Sequence, residues 1–568
     1  MHAQTPLLTQ ATSQHAVPSV NATSRRLMAA IAVLVALAVV VTNLTTSDTG
    51  LRIDSEMLTQ ASETSLADAP SLRLHFMLKR SSMDMYGYSE FDVLANPVVS
   101  ASNNSIFYDG YVKFEDNTTS HTFMLVDGVA YYAMSNTDDA RISETARCLS
   151  SSSIPSLNFI LSALNNAMPI NSAVADDDTV ACPRGNLLKT TLGGSTFVIC
   201  SLGSDGFTIY GSDLDVSVEY LANSVDITAP VLDEEQARSC EEVVAASSVT
   251  PSTLALLTGH SLTYPVNTQS RNLKAKPNVK LQPSSCACKS TSRPCIFFHG
   301  MGVATEKKAL QTSFKNYWGD LTDSAPCCSS IQYAMLDTIN YPWTDAGLQQ
   351  KVCNFALSVS NTSNASAKTI ADTIIVTHSM GGLMVGGALA NRRCKFGPST
   401  TWVALSAPMT GSIGSDYLQE TCSGNAGFLR LVALLIGRCP ANNAVKAMTY
   451  ESDPRTTPAL KAAYISAQTA FKKHVGAVMC SNNYDGLFSI WQPVYQLAGS
   501  MIPHKSKEND GIVEFKSCAG GLPTAEFGSS YADPFYLTSL NHVDTTFRNG
   551  DGFFSTSRKP IKWFECLL

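Results

Sequence analysis

The segment Thr373–Gly382, of sequence TIIVTHSMGG, constrains the fold of this chain more than any other part of it. Its first residues, Thr373 to Val376, are apolar or β-branched, which is typical of a buried parallel strand. The residues after Ser379 suit a helix that packs on a sheet, and basic residues at Arg392–Arg393 favour its C-terminus. A serine at the sharp turn from a strand into a helix has its Oγ above the edge of the sheet, beside the first N–H groups of the helix. We therefore predict that Ser379 is a nucleophile.

Thr377 departs from the pattern that such a corner usually shows. The usual Gly-x-Ser-x-Gly sequence has a glycine two residues before the serine, because bulk at that position crowds the turn. Thr377 is β-branched, which weakens the pattern without excluding it. A five-residue pattern also arises by chance, so the alternative is a serine that caps a core helix. Partners elsewhere in the chain must decide between the two.

Composition and charge limit the classes of protein to consider. The 568 residues allow two or more domains, and 44% hydrophobic residues are enough for large cores. A net charge of −7, with no basic stripe, argues against nucleic-acid binding. We therefore predict a globular protein without a nucleic-acid partner.

Sixteen cysteines lie between residues 148 and 566. Neither Cys286-x-Cys288 nor the adjacent Cys327–Cys328 has the paired C-x-x-C spacing of a zinc site, so we predict no metal and no cofactor. An even set of cysteines favours several disulfides in an oxidising compartment. The five N-x-S/T sequons beyond residue 42 agree with a secretory lumen, at Asn43, Asn103, Asn117, Asn361 and Asn364.

An apolar run near the N-terminus predicts entry into the secretory pathway. Leu27 to Val41 is uninterrupted and apolar, and it follows Arg25–Arg26 and a segment without acidic residues. We interpret 1–26 as a cytoplasmic or leader segment and 27–42 as a signal anchor that holds a lumenal or extracellular protein at a membrane. A cleaved signal peptide, which would give a secreted protein, is the alternative.

Residues 43–70 are predicted to be a linker, and 71–230 a β-rich domain of unknown role. Strand-like runs recur through that domain, with a hairpin signal at Asp127–Gly128 and one helix near Ser156–Ala167. We expect a curved antiparallel sheet covered by this helix. Residues 231–292 change to acidic and Ser/Thr/Pro-rich sequence, which indicates a second linker.

From residue 293 to 568, strand-like and helix-like segments alternate. The expected strands are Cys295–Phe298, Ile331–Leu336, the Thr373 run and Thr401–Leu405, with helices at Leu348–Val359 and after Gly381. This alternation predicts the α/β class, with a parallel, doubly wound sheet. An insertion at about 413–500 is expected to form a cap. Its run Phe428–Ile436 is apolar enough to line an acyl pocket, a packed core helix being the alternative.

A strand that ends in His299-Gly300-Met301-Gly302 offers the second part of a catalytic site. The glycines allow the backbone N–H of Met301 to turn towards the site. There the N–H groups of Met301 and Met380 would both donate hydrogen bonds to a negatively charged oxygen that forms beside the serine. An ordinary glycine turn after a strand is the alternative.

Candidates for an acid and a base follow the serine. Asp510 lies before a glycine and an apolar run, 131 residues after Ser379. Asp485, before Gly486, has the same local form and is the alternative acid. His542, in the sequence Asn-His-Val-Asp, follows Asp510 by 32 residues. We predict Asp510 as the acid and His542 as the base.

Together these segments resemble the α/β-hydrolase superfamily and, within it, the lipase-like serine esterases. The resemblance covers about 293–568 and rests on the following residues: the loop His299–Gly302, the elbow His378–Gly382, the segment Ser406-Ala407-Pro408, Asp510 and His542. They follow the family's order of oxyanion loop, serine, acid and histidine, whereas His378 and His504 do not. The lumenal setting is similar to that of GPI inositol-deacylases and palmitoyl-protein thioesterases.

The resemblance implies an α/β-hydrolase fold, with a doubly wound, mostly parallel sheet, preceded here by the β-rich domain. It implies that His542 deprotonates Ser379, that Asp510 holds the imidazole, and that water releases an acyl-enzyme. The oxyanion donors would be Met301 and Met380, supported by His299, Gly300, Gly302 and Gly381. We predict a carboxylic ester hydrolase that acts on lipid or other acyl esters. The alternatives are a thioesterase of acylated proteins and an inactive binding ectodomain on the same scaffold.

Overall fold

The computed structural model describes residues 65–568, apart from 117–118, 137–144, 150–156, 176–177, 184–185, 233, 239, 244–245, 263–276, 423–439, 488 and 490. The described residues belong to one compact unit. The predicted signal anchor at 27–42 and the run Phe428–Ile436 lie outside them. Within the described ranges, no helix has both the length and the apolar character that crossing a bilayer requires.

A 12-stranded sheet, in which every pair of neighbours is antiparallel, is the largest feature of the described chain. The strands of the first half are β1 (Ser71–Leu78), β2 (Glu90–Val99), β3 (Ser105–Asp116), β4 (Thr119–Val126), β5 (Val129–Asn136), β6 (Thr145–Leu149), β7 (Met168–Pro169), β8 (Ser172–Ala175), β9 (Asp178–Thr179), β10 (Asn186–Leu192), β11 (Ser195–Ser201), β12 (Phe207–Tyr210), β13 (Leu214–Leu221), β14 (Ser247–Ser248) and β15 (Asn278–Lys280). Their order in the large sheet is β6-β5-β4-β3-β2-β1-β13-β12-β11-β10-β7, with β14 on β3, while β15, β8 and β9 form a small separate sheet.

Tight turns connect strands of the large sheet directly. Between β4 and β5, Val126 pairs with Val129, and the two residues of the turn are Asp127 (φ 51°) and Gly128 (φ 77°). Two positive φ angles match the right-handed twist of a hairpin, and Asp-Gly is a sequence that adopts them. Helices α1 (Leu157–Asn165) and α3 (Pro251–Thr258), on either side of the short α2 (Glu234–Ala237), add buried leucines to the core of this sheet.

A six-stranded parallel sheet forms the second half. The strands from residue 293 onward are β16 (Arg293–Phe298), β17 (Cys328–Ala334), β18 (Thr369–Ile370), β19 (Ile374–His378), β20 (Lys395–Phe396), β21 (Thr401–Leu405), β22 (Val475–Ser481) and β23 (Phe535–Thr538). The sheet order is β17-β16-β19-β21-β22-β23, and β18 pairs only with β20. The helices are α4 (Lys315–Trp318), α5 (Ala346–Ser358), α6 (Met380–Ala390), α7 (Ile413–Cys422), α8 (Asn443–Ala447), α9 (Pro458–His474), α10 (Gln492–Met501), α11 (Phe515–Ala519) and α12 (Pro560–Leu567).

The interior position of β19 explains its apolar sequence. This strand pairs with β16 on one side and β21 on the other, and all five of its residues are buried. Ile375 packs into the core on one face of the sheet, and Ile374 and Val376 pack into the core on the other. Because both faces are covered, the strand needs apolar side chains at successive positions.

The predicted class, an α/β-hydrolase fold with a doubly wound, mostly parallel sheet, is wrong for this chain. The dominant sheet is the 12-stranded antiparallel one, and helices are sparse. Parallel pairing needs crossover connections of a dozen or more residues, whereas hairpins connect many of the strands in 71–221. The prediction was based on the alternating strand-like and helix-like segments after residue 293. It placed the β-rich domain before the α/β fold and did not let that domain decide the class.

Six buried charges join the antiparallel sheet to the C-terminal helix. Arg80 donates to Glu565 and lies 3.5 Å from Asp551, while Lys559 and Lys562 both donate to Asp213. No side chain in the group is more than 8% exposed. We call these residues the seam cluster: Arg80, Asp213, Asp551, Lys559, Lys562 and Glu565. Its three positive and three negative charges balance, and removing one partner of such a pair typically costs about 3–5 kcal/mol.

Seven disulfides lie within the described residues: Cys148–Cys240, Cys182–Cys200, Cys286–Cys566, Cys288–Cys327, Cys295–Cys328, Cys353–Cys394 and Cys480–Cys518. Disulfides at this density persist in oxidising compartments, so they indicate an extracellular or lumenal protein. Cys286–Cys566 lies beside the seam cluster, because the N–H of Cys286 donates to Glu565.

Candidate active site

Ser379 lies at the sharp turn between β19 and α6. Its φ of 54° and ψ of −129° belong to neither a strand nor a helix, and this conformation is strained for a residue with a side chain. The N–H of Ser379 donates to the carbonyl of Leu405, at the end of neighbouring β21, over 2.9 Å. The two adjacent strands therefore hold the serine at the carboxyl edge of the parallel sheet.

Two glycines allow the backbone to close around Ser379. A Cβ on Gly300 would lie 2.6 Å from the Cβ of Ser379, and a Cβ on Gly381 would lie 2.5 Å from the carbonyl oxygen of Phe298. Both distances are well inside van der Waals contact, so neither position accepts a side chain. Gly302 differs, because its φ is +110° and the space around it is open.

Thr377, which departs from the expected pattern, is fully buried between β19 and β21. Its Oγ1 accepts a hydrogen bond from Trp402 Nε1 at 2.9 Å and donates to the carbonyl of Val403 at 3.4 Å. Trp402 and Val403 on β21 therefore satisfy the hydrogen bonds of the Thr377 hydroxyl, a group that a glycine at this position would not have. The β-branched side chain is part of the packing under the turn.

His542 connects Ser379 to Asp510. Its Nε2 lies 3.0 Å from Ser379 Oγ, and its Nδ1 lies 2.7 Å from Asp510 Oδ2. When Nδ1 carries the ring proton and donates it to the carboxylate of Asp510, Nε2 is free to accept a hydrogen bond from Ser379 Oγ. The backbone fixes the ring as well, because the N–H of His542 donates to the Asp510 carbonyl and Thr545 Oγ1 donates to the His542 carbonyl.

Backbone N–H groups hold the carboxylate of Asp510. Its Oδ1 accepts from Ile512 at 3.0 Å and from Val513 at 2.7 Å. Burial by itself would raise the pKa of Asp510, but the charge and hydrogen bond of His542 and these two N–H groups outweigh burial and lower it. Asp510 is therefore ionised at neutral pH, with its Oδ2 facing Nδ1 of His542.

His299 and Thr338 fix the peptide that joins Gly300 to Met301. The Nδ1 of His299 and the Oγ1 of Thr338 lie 2.7 and 2.9 Å from the Gly300 carbonyl oxygen, and His299 Nε2 accepts from the N–H of Leu336. Burial lowers the pKa of His299 to about 4, so the ring is neutral and its proton is on Nδ1. Because the C=O and N–H of a trans peptide point in opposite directions, the N–H of Met301 points away from His299.

The N–H of Met380 is the first of helix α6 and follows Ser379 directly. The first N–H groups of a helix have no acceptor within the helix. In the part of the chain that the structure describes, neither this N–H nor that of Met301 donates to a protein acceptor. Both are available to an oxygen bound beside Ser379.

Tyr317 and His378 form a supporting chain of hydrogen bonds that sequence reasoning missed. Tyr317 accepts from the N–H of Gly300 at 2.7 Å and donates to His378 Nδ1 at 2.6 Å, and His378 Nε2 donates to the carbonyl of His542 at 3.0 Å. Burial and the nearby His542 lower the pKa of His378 well below its usual value, so the ring is neutral. No local sequence pattern singles out Tyr317, and the position of His378 next to Ser379 was its only signal.

The alternative acid and the rejected histidine lie in other contacts. Asp485 forms an ion pair with Arg558 at 3.1 Å. His504 Nδ1 lies 2.7 Å from Glu514 Oε1, and both side chains are buried. Neither residue is among those that contact Ser379 or His542 in the described chain.

A cavity of 790 Å³ opens over Ser379 and His542. It is large enough for a drug-sized or lipid-sized ligand. Several of its walls are apolar: Met301, Ile339, Val445, Met448, Ile512 and Val543. Val445 and Trp491 belong to the segment 413–500, so part of the predicted cap region lines the cavity.

Comparisons with known proteins give matches among solved structures only. No family model matches this chain, and no curated protein does. Among solved structures, lipase 1 from Pelosinus fermentans is similar, with 13% identity and a TM-score of 0.26 over 49% of this chain and 97% of that chain. A TM-score this low does not define a shared fold, so function has to be argued from the geometry of the site.

Proposed function

We propose that this protein is a serine hydrolase that cleaves carboxylic esters, with Ser379 as nucleophile and His542 as general base. Asp510 orients the base and stabilises its charged form. The observation that supports this most strongly is the hydrogen-bond line from Ser379 through His542 to Asp510, at 3.0 and 2.7 Å, beneath an open cavity.

In the first half of the reaction, Ser379 Oγ attacks the carbonyl carbon of the ester. His542 Nε2 takes the serine proton, and Asp510 stabilises the imidazolium that forms. The tetrahedral intermediate then collapses. His542 gives the proton to the departing alcohol, and the acyl group stays on Ser379.

The N–H groups of Met301 and Met380 are proposed to stabilise the negative oxygen of the intermediate. The anchored carbonyl of Gly300 supports this role, because it directs the N–H of Met301 away from His299. Loss of one such donor lowers kcat by about 10²- to 10³-fold in comparable sites. Donors that the backbone holds in this way would need little rearrangement during the reaction.

In the second half, His542 activates water, which attacks the acyl-serine and releases a carboxylic acid. The apolar walls favour an acyl chain over a small polar acid. Lipids and other acyl esters are therefore the proposed substrates.

A fluorophosphonate probe tests the proposal on the full chain. Wild-type protein and Ser466→Ala should be labelled, since Ser466 is an exposed serine on α9 that bonds to the carbonyl of Ala462. Ser379→Ala should not be labelled, and it should also fail to hydrolyse p-nitrophenyl esters from acetyl to palmitoyl. An unreactive wild type would favour the inactive binding ectodomain. Faster cleavage of a matched acyl thioester than of the ester would favour a thioesterase.

A further inference from the structure

Arg548 gives the cavity a positive charge, which the cleavage of a simple neutral ester does not require. Of the described residues that line it, Arg548 is the one arginine or lysine, and none is acidic. We propose that Arg548 binds an anionic group, a carboxylate or a phosphate, on the ester substrate. The inference rests on the proposed function and adds to it a substrate class, esters that bear a negative charge.

The contacts of Arg548 position its guanidinium but do not neutralise it. Nη1 donates to the carbonyl of Asn316 at 2.9 Å, and Cζ lies 4.5 Å from the centre of the Trp491 ring. Neither partner carries a charge. The carboxylate of Asp544 acts on Arg548 through its charge, but within the described residues no carboxylate oxygen lies within 4.0 Å of the guanidinium. A backbone carbonyl and an aromatic face therefore fix the direction of a cation whose charge is left for another ligand.

Two other buried arginines are paired with acids, whereas Arg147 packs over the ring of Tyr132. Arg80 binds Glu565 and Asp551, and Arg558 binds Asp485. Half-burying a cation without an acidic partner is costly, and burial lowers the pKa of Arg548. None of its nitrogens is a buried atom without a partner, so the N–H groups that do not bind Asn316 are open to solvent.

Arg548 lies on the same segment as the proposed base. His542, Thr546 and Arg548 all line the cavity, and between them Phe547 is buried with a φ of 72°. After burial and the charge of His542, the charge of Arg548 further lowers the pKa of His378, which adjoins Ser379. An anion on Arg548 is therefore held in the space where the ester meets Ser379.

The shape of guanidinium suits this task. Its parallel N–H groups match two oxygens of a carboxylate or a phosphate, and the charge strengthens each hydrogen bond. Hydrogen bonds to charged groups of this kind are expected to change kcat/KM by about 10- to 100-fold. The anionic group takes no part in the bonds that form and break, so most of the change in kcat/KM should appear in KM.

Matched esters test the inference on the full chain. One pair, p-nitrophenyl pentanoate and mono-p-nitrophenyl glutarate, differs by a carboxylate on the acyl side. A second pair, dioctanoylglycerol and dioctanoyl phosphatidate below their aggregation limits, differs by a phosphate on the alcohol side. Wild-type protein should prefer the anionic member of at least one pair by about tenfold or more in kcat/KM, and the pair that responds identifies where the anion is carried.

Three variants assign that preference. Arg548→Met keeps the length of the side chain without its charge, and Arg548→Lys keeps the charge without the two parallel donors. Arg238→Met makes the same change in net charge at a side chain that is 79% exposed. The ratio of anionic to neutral kcat/KM should fall by about tenfold or more in Arg548→Met, fall less in Arg548→Lys, and stay at the wild-type value in Arg238→Met.

Inhibition gives a second readout that does not depend on the choice of ester. Glutarate and inorganic phosphate should compete with p-nitrophenyl pentanoate, and the inhibition constant of at least one should rise by about tenfold in Arg548→Met. If Arg548→Met does not fold, the same comparisons are made with Arg548→Lys.

The outcomes separate the two proposals. Hydrolysis of neutral esters with no anionic preference, or a preference that survives loss of Arg548, would overturn the anion site and leave the esterase standing. Failure of the wild type both to react with the fluorophosphonate and to cleave any of the four esters would overturn the proposed function and, with it, this inference.

Discussion

Two buried pairs of a histidine and a carboxylate have the same short contact but differ on the far side of the imidazole. In both His542–Asp510 and His504–Glu514, Nδ1 lies 2.7 Å from a carboxylate oxygen. The Nε2 of His542 faces Ser379 Oγ at 3.0 Å, whereas the Nε2 of His504 has no hydrogen-bond partner in the described chain. A buried pair of this kind is therefore not a sufficient sign of catalysis.

The carboxylates differ as well. The second oxygen of Asp510 accepts two backbone N–H groups, while Glu514 Oε2 is buried without a partner among the described residues. Each unsatisfied buried group costs about 1–3 kcal/mol. The pair at the proposed site is thus fully satisfied and held in one orientation, and the other pair is satisfied only between its two members.

Replacing the histidines should produce the largest difference between the pairs. His542→Ala removes the proposed base, so we expect kcat to fall by about 10⁴- to 10⁶-fold. His504→Ala leaves Glu514 buried and alone, so it should lower the free energy of unfolding but change kcat by less than about tenfold in the folded protein. Ester hydrolysis and urea unfolding measure the two effects. An equal loss of kcat in both variants would contradict the distinction.

Replacing the carboxylates should give the next largest difference. Asp510→Asn removes the charge that orients His542, and we expect a fall in kcat of about 10⁴-fold. Glu514→Gln should change kcat by less than about tenfold, because Glu514 has no contact with the serine. Asp485→Asn is the control for the alternative acid. If it abolishes activity while Asp510→Asn does not, the acid has been assigned wrongly.

The pH dependence of stability should show the smallest effect. The pKa of Asp510 is lower in the folded protein than its usual value, so its stabilising contribution is present above about pH 4 and is lost as the pH falls through the folded pKa. The difference in unfolding free energy between wild type and Asp510→Asn should be largest above about pH 4 and should shrink as the pH falls below it. Urea titrations across this range measure it, and a difference that grows in acid would contradict the lowered pKa.

Several parts of the site could be predicted from sequence because the signals are local. An apolar run that enters a serine and then glycines indicates a strand, a turn and a helix, and β21 was expected at Thr401–Leu405, where it lies. Ser379, Asp510 and His542 were expected to meet, and His542 lies within hydrogen-bond distance of both Ser379 and Asp510. Their chemical roles are still a prediction.

The remaining features depend on contacts that no local pattern records. Tyr317 meets His378 across 61 residues, and its aromatic neighbours in sequence give no hint of this. An antiparallel sheet was expected in 71–230, but its 12 strands and its dominance were not, because its extent depends on distant pairing such as that between β1 and β13. Arg548 was also missed, because an isolated arginine is a common surface residue until its cavity and its lack of an acidic partner are known.

The seam cluster has a consequence for when the site can form. Arg80 and Glu565 are 485 residues apart, and a ribosome completes the antiparallel sheet long before it releases Lys559, Lys562 and Glu565. Until then Arg80 and Asp213 have no charged partners from the C-terminal helix. The proposed triad also needs His542, so the buried charges of the sheet gain their partners, and the site gains its base, only after the C-terminal segment has been made.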